Sequence, residues 1–160
     1  MQKILVIQQK MIGDVLLSTI VCEALKTKYP NSEISYVVNT NTIAVVDEHP
    51  CIHRIIEFKT EYRTSKLAFF NFLNQLRKEK YDIVVDAYGK LESNLMTLFT
   101  GAKTKISYNK NYTKFIYNKN IERKAIVLTN AGNAVENRLR LVFNASQTIV
   151  LNNTSPIIFC

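Results

Sequence analysis

Short apolar runs alternate along this chain with longer stretches in which apolar residues recur every three or four positions. Ile4, Leu5, Val6 and Ile7 stand together within Lys3 to Gln9. Such a near-continuous run marks a central parallel strand with helices over both faces. A tight turn, Lys10 to Gly13, leads into a predicted helix from Asp14 to Lys28, where Leu17, Ile20, Val21, Ala24 and Leu25 share one face. Pro30 and Asn31 stop it. The same reading predicts strands at Ile34 to Val38, Arg54 to Phe58, Tyr81 to Asp86 and Lys105 to Tyr108. Between them fall a short helix over Asn41 to Asp47, a long one from Thr64 to Lys80 and another from Glu92 to Thr100. Gly101 is placed to cap the last of these. Asn109 to Lys124 is polar and basic, with Tyr112, Phe115 and Tyr117 interleaved, and reads as a long connection carrying little regular structure. A last helix is expected over Ala131 to Phe143, and Asn144 to Cys160 shows no periodicity.

Strand and helix alternating in this way imply right-handed crossovers and a parallel sheet. The expected fold is α/β, a three-layer α/β/α Rossmann-like sandwich, with Ile4 to Ile7 central and both Gly13 and Asp86 at the carboxyl edge. Residues 1–145 are expected to form one domain, and 146–160 a tail or the start of a linker.

Composition narrows this only a little. The chain has 160 residues, 47% of them hydrophobic, which is enough for one core. No apolar run approaches the roughly 20 residues that span a bilayer, and the first residues lack a basic leader and a cleavage site. A cytoplasmic protein is expected. Cys22, Cys51 and Cys160 are far apart and odd in number, so neither a disulfide framework nor a metal site is expected. His49 and His53 beside Cys51 read as loop and strand residues. The net charge of +8 favours anionic partners: phosphates, an anionic membrane or nucleic acid.

In open parallel sheets ligands bind at the carboxyl ends of the strands. The first strand opens there onto Lys10-Met11-Ile12-Gly13-Asp14. Gly13 allows a tight turn or a close backbone approach. On residue pattern alone Asp14 reads as a helix N-cap, which accepts otherwise unpaired N–H groups. The turn carries no GxGxxG, GxxxxGK[ST] or GxSxG, so dinucleotide, P-loop and serine-hydrolase chemistries lack support.

Three blocks, in order, carry a family resemblance. The segment KILVIQQKMIGDVLLSTIVCEALKTKYPNSEISYVV resembles the opening of glycosyltransferase family nine, the ADP-heptose:lipopolysaccharide heptosyltransferases, through its strand, its Gly13-Asp14-Val15-Leu16 and its Tyr29-Pro30. YDIVVDAYGKLESNLMTLFTGAKTKISY is similar to the family's second block, and Asn133-Ala134-Val135-Glu136 to its His-Ala-Val-Glu. The loop departs from the family's usual basic residue and serines, Ile20 replaces a proline, and Asn133 replaces the histidine.

The resemblance implies the N-terminal, acceptor-side half of a GT-B glycosyltransferase, an enzyme of two Rossmann-like domains facing a cleft. It implies inverting transfer of a sugar from a nucleotide sugar to a lipopolysaccharide-type or other cell-envelope glycan. Asp14 would then be the catalytic base, compatible with capping through its second oxygen. Lys10, Gly13, Arg63, Lys66, Asp86 and Lys90 are the candidates for acceptor binding, with Lys110 and Lys114 behind them. Cations suit an anionic lipid-linked glycan acceptor, though any one of them also reads as solvated surface, and Asp86 equally as a buried turn residue. No cofactor is expected. The donor, a nucleotide sugar such as ADP-heptose, would bind mainly a C-terminal domain beyond these residues, so this length alone is expected to be inactive. The enzyme would work at the inner face of the cytoplasmic membrane. A non-catalytic glycan-binding module is the alternative. A nucleic-acid binder is disfavoured, because no helix concentrates the positive charge.

Overall fold

The structure is a computed structural model, and it describes residues 1–125 and 132–143. The tail expected at 146–160 lies outside the described residues. Six strands form one sheet in the order β3-β2-β1-β4-β5-β6, with every pair parallel. They are β1 (Lys3–Ile7), β2 (Glu33–Asn39), β3 (Arg54–Phe58), β4 (Ile83–Asp86), β5 (Thr104–Tyr108) and β6 (Lys119–Ile121). The helices are α1 (Ile12–Leu17), α2 (Thr19–Lys28), α3 (Glu61–Thr64), α4 (Lys66–Lys78), α5 (Leu91–Thr100) and α6 (Asn133–Leu139).

The run Ile4 to Ile7 is wholly buried because β1 is covered on both faces. Ile4 and Val6 pack towards α2 and α6, while Leu5 and Ile7 pack towards α4 and α5. On that second side Phe72, Leu73 and Leu76 of α4 are buried, each removing side-chain surface worth about 1.5–3 kcal/mol. The chain winds outward from β1 to β3, then crosses back to β4 and winds the other way. Order reverses between β1 and β4, where parallel sheets open a crevice at their carboxyl ends.

Several local expectations change. The single helix from Asp14 to Lys28 is two helices broken at Ser18. There the Val21 N–H bonds the Ser18 carbonyl three residues back, and the Thr19 hydroxyl takes the Leu16 carbonyl at 2.8 Å. Side-chain bonding of this kind competes with the helical ladder. The helix expected at Asn41 to Asp47 is a 3₁₀ turn, Thr40–Val45, with Thr42 hydroxyl bonded to the Asn39 carbonyl. The basic connection holds a sixth strand, β6, parallel to β5. The last helix is shorter, Asn133–Leu139. Gly101 caps α5 in the left-handed conformation (φ 66°), as expected, and Ser65 caps α4 by accepting from the Ala68 N–H. Cys22 is a buried free thiol, whereas Cys51, also buried, is disulfide-bonded, against the expectation of unpaired thiols.

Among the described residues no helix is long and apolar enough to cross a membrane, and no group of His, Cys, Asp and Glu is placed to hold a metal ion.

Candidate active site

A cleft of about 860 Å³ opens at the carboxyl edge where strand order reverses. The loop after β1 brings Lys10 and Asp14 to it, the loop after β4 brings Lys90, the segment after β6 brings Arg123 and Lys124, and α6 closes it with Arg138. Among the described residues, five cationic side chains therefore line the cleft with one acid, Asp14, an arrangement whose field attracts anions.

Asp14 is not the N-cap the pattern suggested. The helix begins two residues earlier at Ile12, Met11 holds the cap position, and no side chain caps it. Asp14 sits in the first turn, and its Oδ1 accepts from the Arg138 guanidinium at 2.7 Å. Arg138 also donates to the Ser18 hydroxyl at 2.9 Å and to the Ala134 carbonyl at 3.1 Å. Its side chain is only 12% exposed, whereas that of Asp14 is 52% exposed. A fixed guanidinium thus holds one oxygen of a half-open carboxylate. No hydrogen bond among the described residues reaches Oδ2, which keeps its full acceptor capacity.

The floor and wall are fixed by neighbours. The Arg123 guanidinium lies 4.0 Å from the centre of the Tyr108 ring. Asn137 of α6 accepts from the Lys124 N–H at 2.9 Å and donates to the Lys124 carbonyl at 3.0 Å, stapling the basic segment to the helix. The Gln8 side-chain amide folds back on the Lys10 carbonyl.

The other sequence candidates separate. Gly13, Arg63 and Lys10 line a neighbouring cavity of about 750 Å³. Gly13 is helical, and a side chain there would meet nothing within 4 Å, so the fold itself does not require glycine. Arg63 is engaged with Glu92 (3.4 Å) and Asn39 (3.3 Å) and lies over the Phe58 ring. Lys66 is exposed at the start of α4 and lines neither cavity. Lys110 is taken up by the Gly89 carbonyl at 2.6 Å.

Asp86 is wholly buried and does not reach the cleft, because its oxygens turn back into the loop that follows β4. Oδ1 accepts from the Tyr88 and Gly89 N–H groups, and Oδ2 lies 2.5 Å from the Tyr117 hydroxyl. That hydroxyl is also 2.7 Å from the Asn94 side-chain oxygen. The Tyr117 hydroxyl is the donor to Asp86, and its proton serves one of the two oxygens at a time. Burial pushes the Asp86 carboxyl up from its ordinary value, against the pull of these hydrogen bonds.

Arg138, Arg123, Lys124 and Asn137 were not among the sequence candidates for the site. The one available signal was spacing: Asn137 and Arg138 stand four residues after Asn133 and Ala134, on the same helical face as the start of the third block.

By fold the chain is a Rossmann-like α/β domain of the GT-B glycosyltransferase class. It superposes on the E. coli heptosyltransferase WaaC solved with ADP-2-deoxy-2-fluoro heptose (TM-score 0.75, 18% identity), over 97% of this chain and 51% of that one. E. coli ADP-heptose lps heptosyltransferase II gives a TM-score of 0.74 at 18% identity, over 99% of this chain and 45% of that one. The chain belongs to glycosyltransferase family 9 (heptosyltransferase), whose family model matches residues 69–155. It is 29% identical over 133 residues to lipopolysaccharide heptosyltransferase 3 of E. coli, covering 81% of this chain and 39% of that protein. The chain thus spans about half the length, or less, of the relatives it matches.

Proposed function

We propose that this domain is the acceptor-side half of an inverting glycosyltransferase, and that Asp14 is its general base. The acceptor hydroxyl gives its proton to Asp14 Oδ2 while its oxygen bonds to the anomeric carbon of the donor sugar. The bond from that carbon to the nucleoside diphosphate oxygen breaks on the opposite face, and the nucleoside diphosphate leaves with the electron pair. Arg138 acts through Asp14 as a positioning residue. Lys10, Lys90, Arg123 and Lys124 hold the anionic acceptor, a lipopolysaccharide-type or other cell-envelope glycan presented at the inner face of the membrane. Gly13 leaves the adjoining backbone open to ligand, with Arg63 at the far wall of the second cavity.

One observation carries this reading: a carboxylate tethered by one oxygen, with the other open, in a cleft whose other charged lining residues are cations. The open oxygen supports this reading, because a general base must lie within hydrogen-bond reach of the proton it takes, and geometry comes before proton affinity. The nucleotide sugar is assigned to a second domain by analogy with the two-domain relatives, in the part of them this chain does not cover. The test supplies the chain with a donor-binding half, its own or that of the E. coli relative. ADP-heptose and a truncated lipopolysaccharide acceptor are then offered, and the anomeric configuration of the product is read by NMR. Inversion is expected. Retention of configuration overturns the proposal.

A further inference from the structure

Arg138 is held by all three of its guanidinium nitrogens. Nη2 donates to Asp14 Oδ1 at 2.7 Å, Nε to the Ser18 hydroxyl at 2.9 Å and Nη1 to the Ala134 carbonyl at 3.1 Å. Nε and Nη2 are the two donors on one side of the planar fork, a pair that a carboxylate readily takes together. Here that pair is divided. One N–H goes to the acid and the other to a hydroxyl.

The division follows from the sequence. Asp14 and Ser18 stand four residues apart, one turn along the same face. The Ser18 N–H closes that turn on the Asp14 carbonyl at 2.9 Å. A guanidinium arriving from α6 therefore meets both side chains. Ser18 itself sits at the junction of α1 and α2, wholly buried, and does not line the cleft. Its hydroxyl is also hydrogen-bonded to that of Tyr36, which is buried in β2 and donates to the Val15 carbonyl at 2.9 Å. Because the Tyr36 proton is committed to Val15, the bond between the two hydroxyls runs from Ser18 to Tyr36. Ser18 is then left with a lone pair for Arg138.

Removing the Ser18 hydroxyl would strand Nε as a donor inside a side chain only 12% exposed, a costly state for a charged group. The Asp14 side chain is 52% exposed, and no hydrogen bond among the described residues holds Oδ2. A turn of that carboxylate would bring Oδ2 to Nε and complete a two-pronged pair. The open oxygen would be consumed.

We propose that Ser18 is a positioning residue that keeps Asp14 Oδ2 open, by occupying the Arg138 N–H that would otherwise pair with it. The catalytic consequence rests on the reading of Asp14 as the base, whereas the arrangement itself belongs to the unliganded domain and is visible without turnover. A serine that merely finished the helix junction would, on removal, lower stability and leave Oδ2 as it is.

The experiment has a structural and a kinetic arm. Crystal structures of the purified chain and of Ser18→Ala are compared. In the variant both Asp14 oxygens should lie about 2.7–3.2 Å from Arg138 nitrogens, and in the parent only Oδ1. In the two-domain form, Ser18→Ala should lower kcat about tenfold or more with KM within about twofold, because Oδ2 must leave Arg138 at each turnover. Its urea midpoint should match or exceed that of the parent, since a bidentate pair replaces the lost bond. Ser18→Thr restores the hydroxyl and should restore both the single bond and the turnover. Oδ2 unbonded in Ser18→Ala, a bidentate pair already present in the parent, parental turnover in Ser18→Ala, or a loss of turnover that only follows a fallen urea midpoint each overturns the proposal. Failure of the base reading is told apart by Asp14→Asn, whose turnover tests that reading alone.

Discussion

Replacing Asp14 separates its chemistry from its structural role, because the structure keeps the structural part small. Its ion pair with Arg138 is half exposed on the acid's side, which places it near surface pairs worth about 0.2–1 kcal/mol. Its place in the first turn of α1 adds a helix-dipole contribution of about 0.3–1 kcal/mol. It accepts no capping hydrogen bond, so Asp14→Ala loses no cap. Asp14→Asn and Asp14→Ala should both unfold within about 2 kcal/mol of the parent. Removing a general base should slow turnover by roughly 10²–10⁴-fold, equivalent to about 2.7–5.5 kcal/mol of transition-state stabilisation. The assay pairs urea unfolding of the domain with steady-state transfer by the two-domain form. Arg138→Met is the companion variant: it keeps bulk but removes three hydrogen bonds, so it should lower kcat with KM little changed and cost roughly 1–3 kcal/mol of stability. Turnover within tenfold of the parent in Asp14→Asn would refute the base assignment. So would activity losses that follow stability alone.

Three further outcomes are expected. Arg123→Ala with Lys124→Ala should weaken binding of an anionic glycan by roughly tenfold and flatten its salt dependence, as read by calorimetry; Arg63→Ala with Lys66→Ala should do much less, since Arg63 is already paired and Lys66 lies outside the cleft. Because burial raises the Asp86 pKa in the folded state, stability should fall as pH rises from the ordinary carboxylate range through the folded-state value. Asp86→Asn should remove that dependence in urea unfolding followed as a function of pH, and parallel profiles for the two proteins would contradict the assignment. Gly101→Ala should cost about 1–2 kcal/mol from its left-handed backbone alone, because a side chain there meets nothing within 4 Å; an unchanged melting temperature would show that α5 can end otherwise.

The sheet was legible because burial on both faces leaves a residue-level imprint: Ile4 to Ile7 and Ile83 to Val85 are apolar without interruption. Elements set by one or two local hydrogen bonds were not. The break at Ser18 depends on the Thr19 hydroxyl, and β6 is three residues, Lys-Asn-Ile, too few to show a period. At the site, Lys10, Asp14 and Lys90 stood out because they directly follow strands or open helices at the carboxyl edge. Arg138 did not, since its role is a contact with a residue 124 positions earlier, and no local pattern encodes that. Asp86 admitted two readings from sequence, and the structure buries it beneath Tyr117 with its oxygens bonded in the turn after β4.

The Asp14–Arg138 tie also orders events during synthesis. The guanidinium that holds the carboxylate leaves the ribosome 124 residues after it. At roughly 5–20 residues per second that interval is on the order of ten seconds. The sheet, β1 to β6, is emitted within the interval, and α6 can dock on α2 only afterwards. Asp14 therefore gains this partner only after the sheet has emerged, and no nascent chain that stops before Arg138 can make the ion pair. The cleft gains its α6 wall only once the sheet beneath it is built.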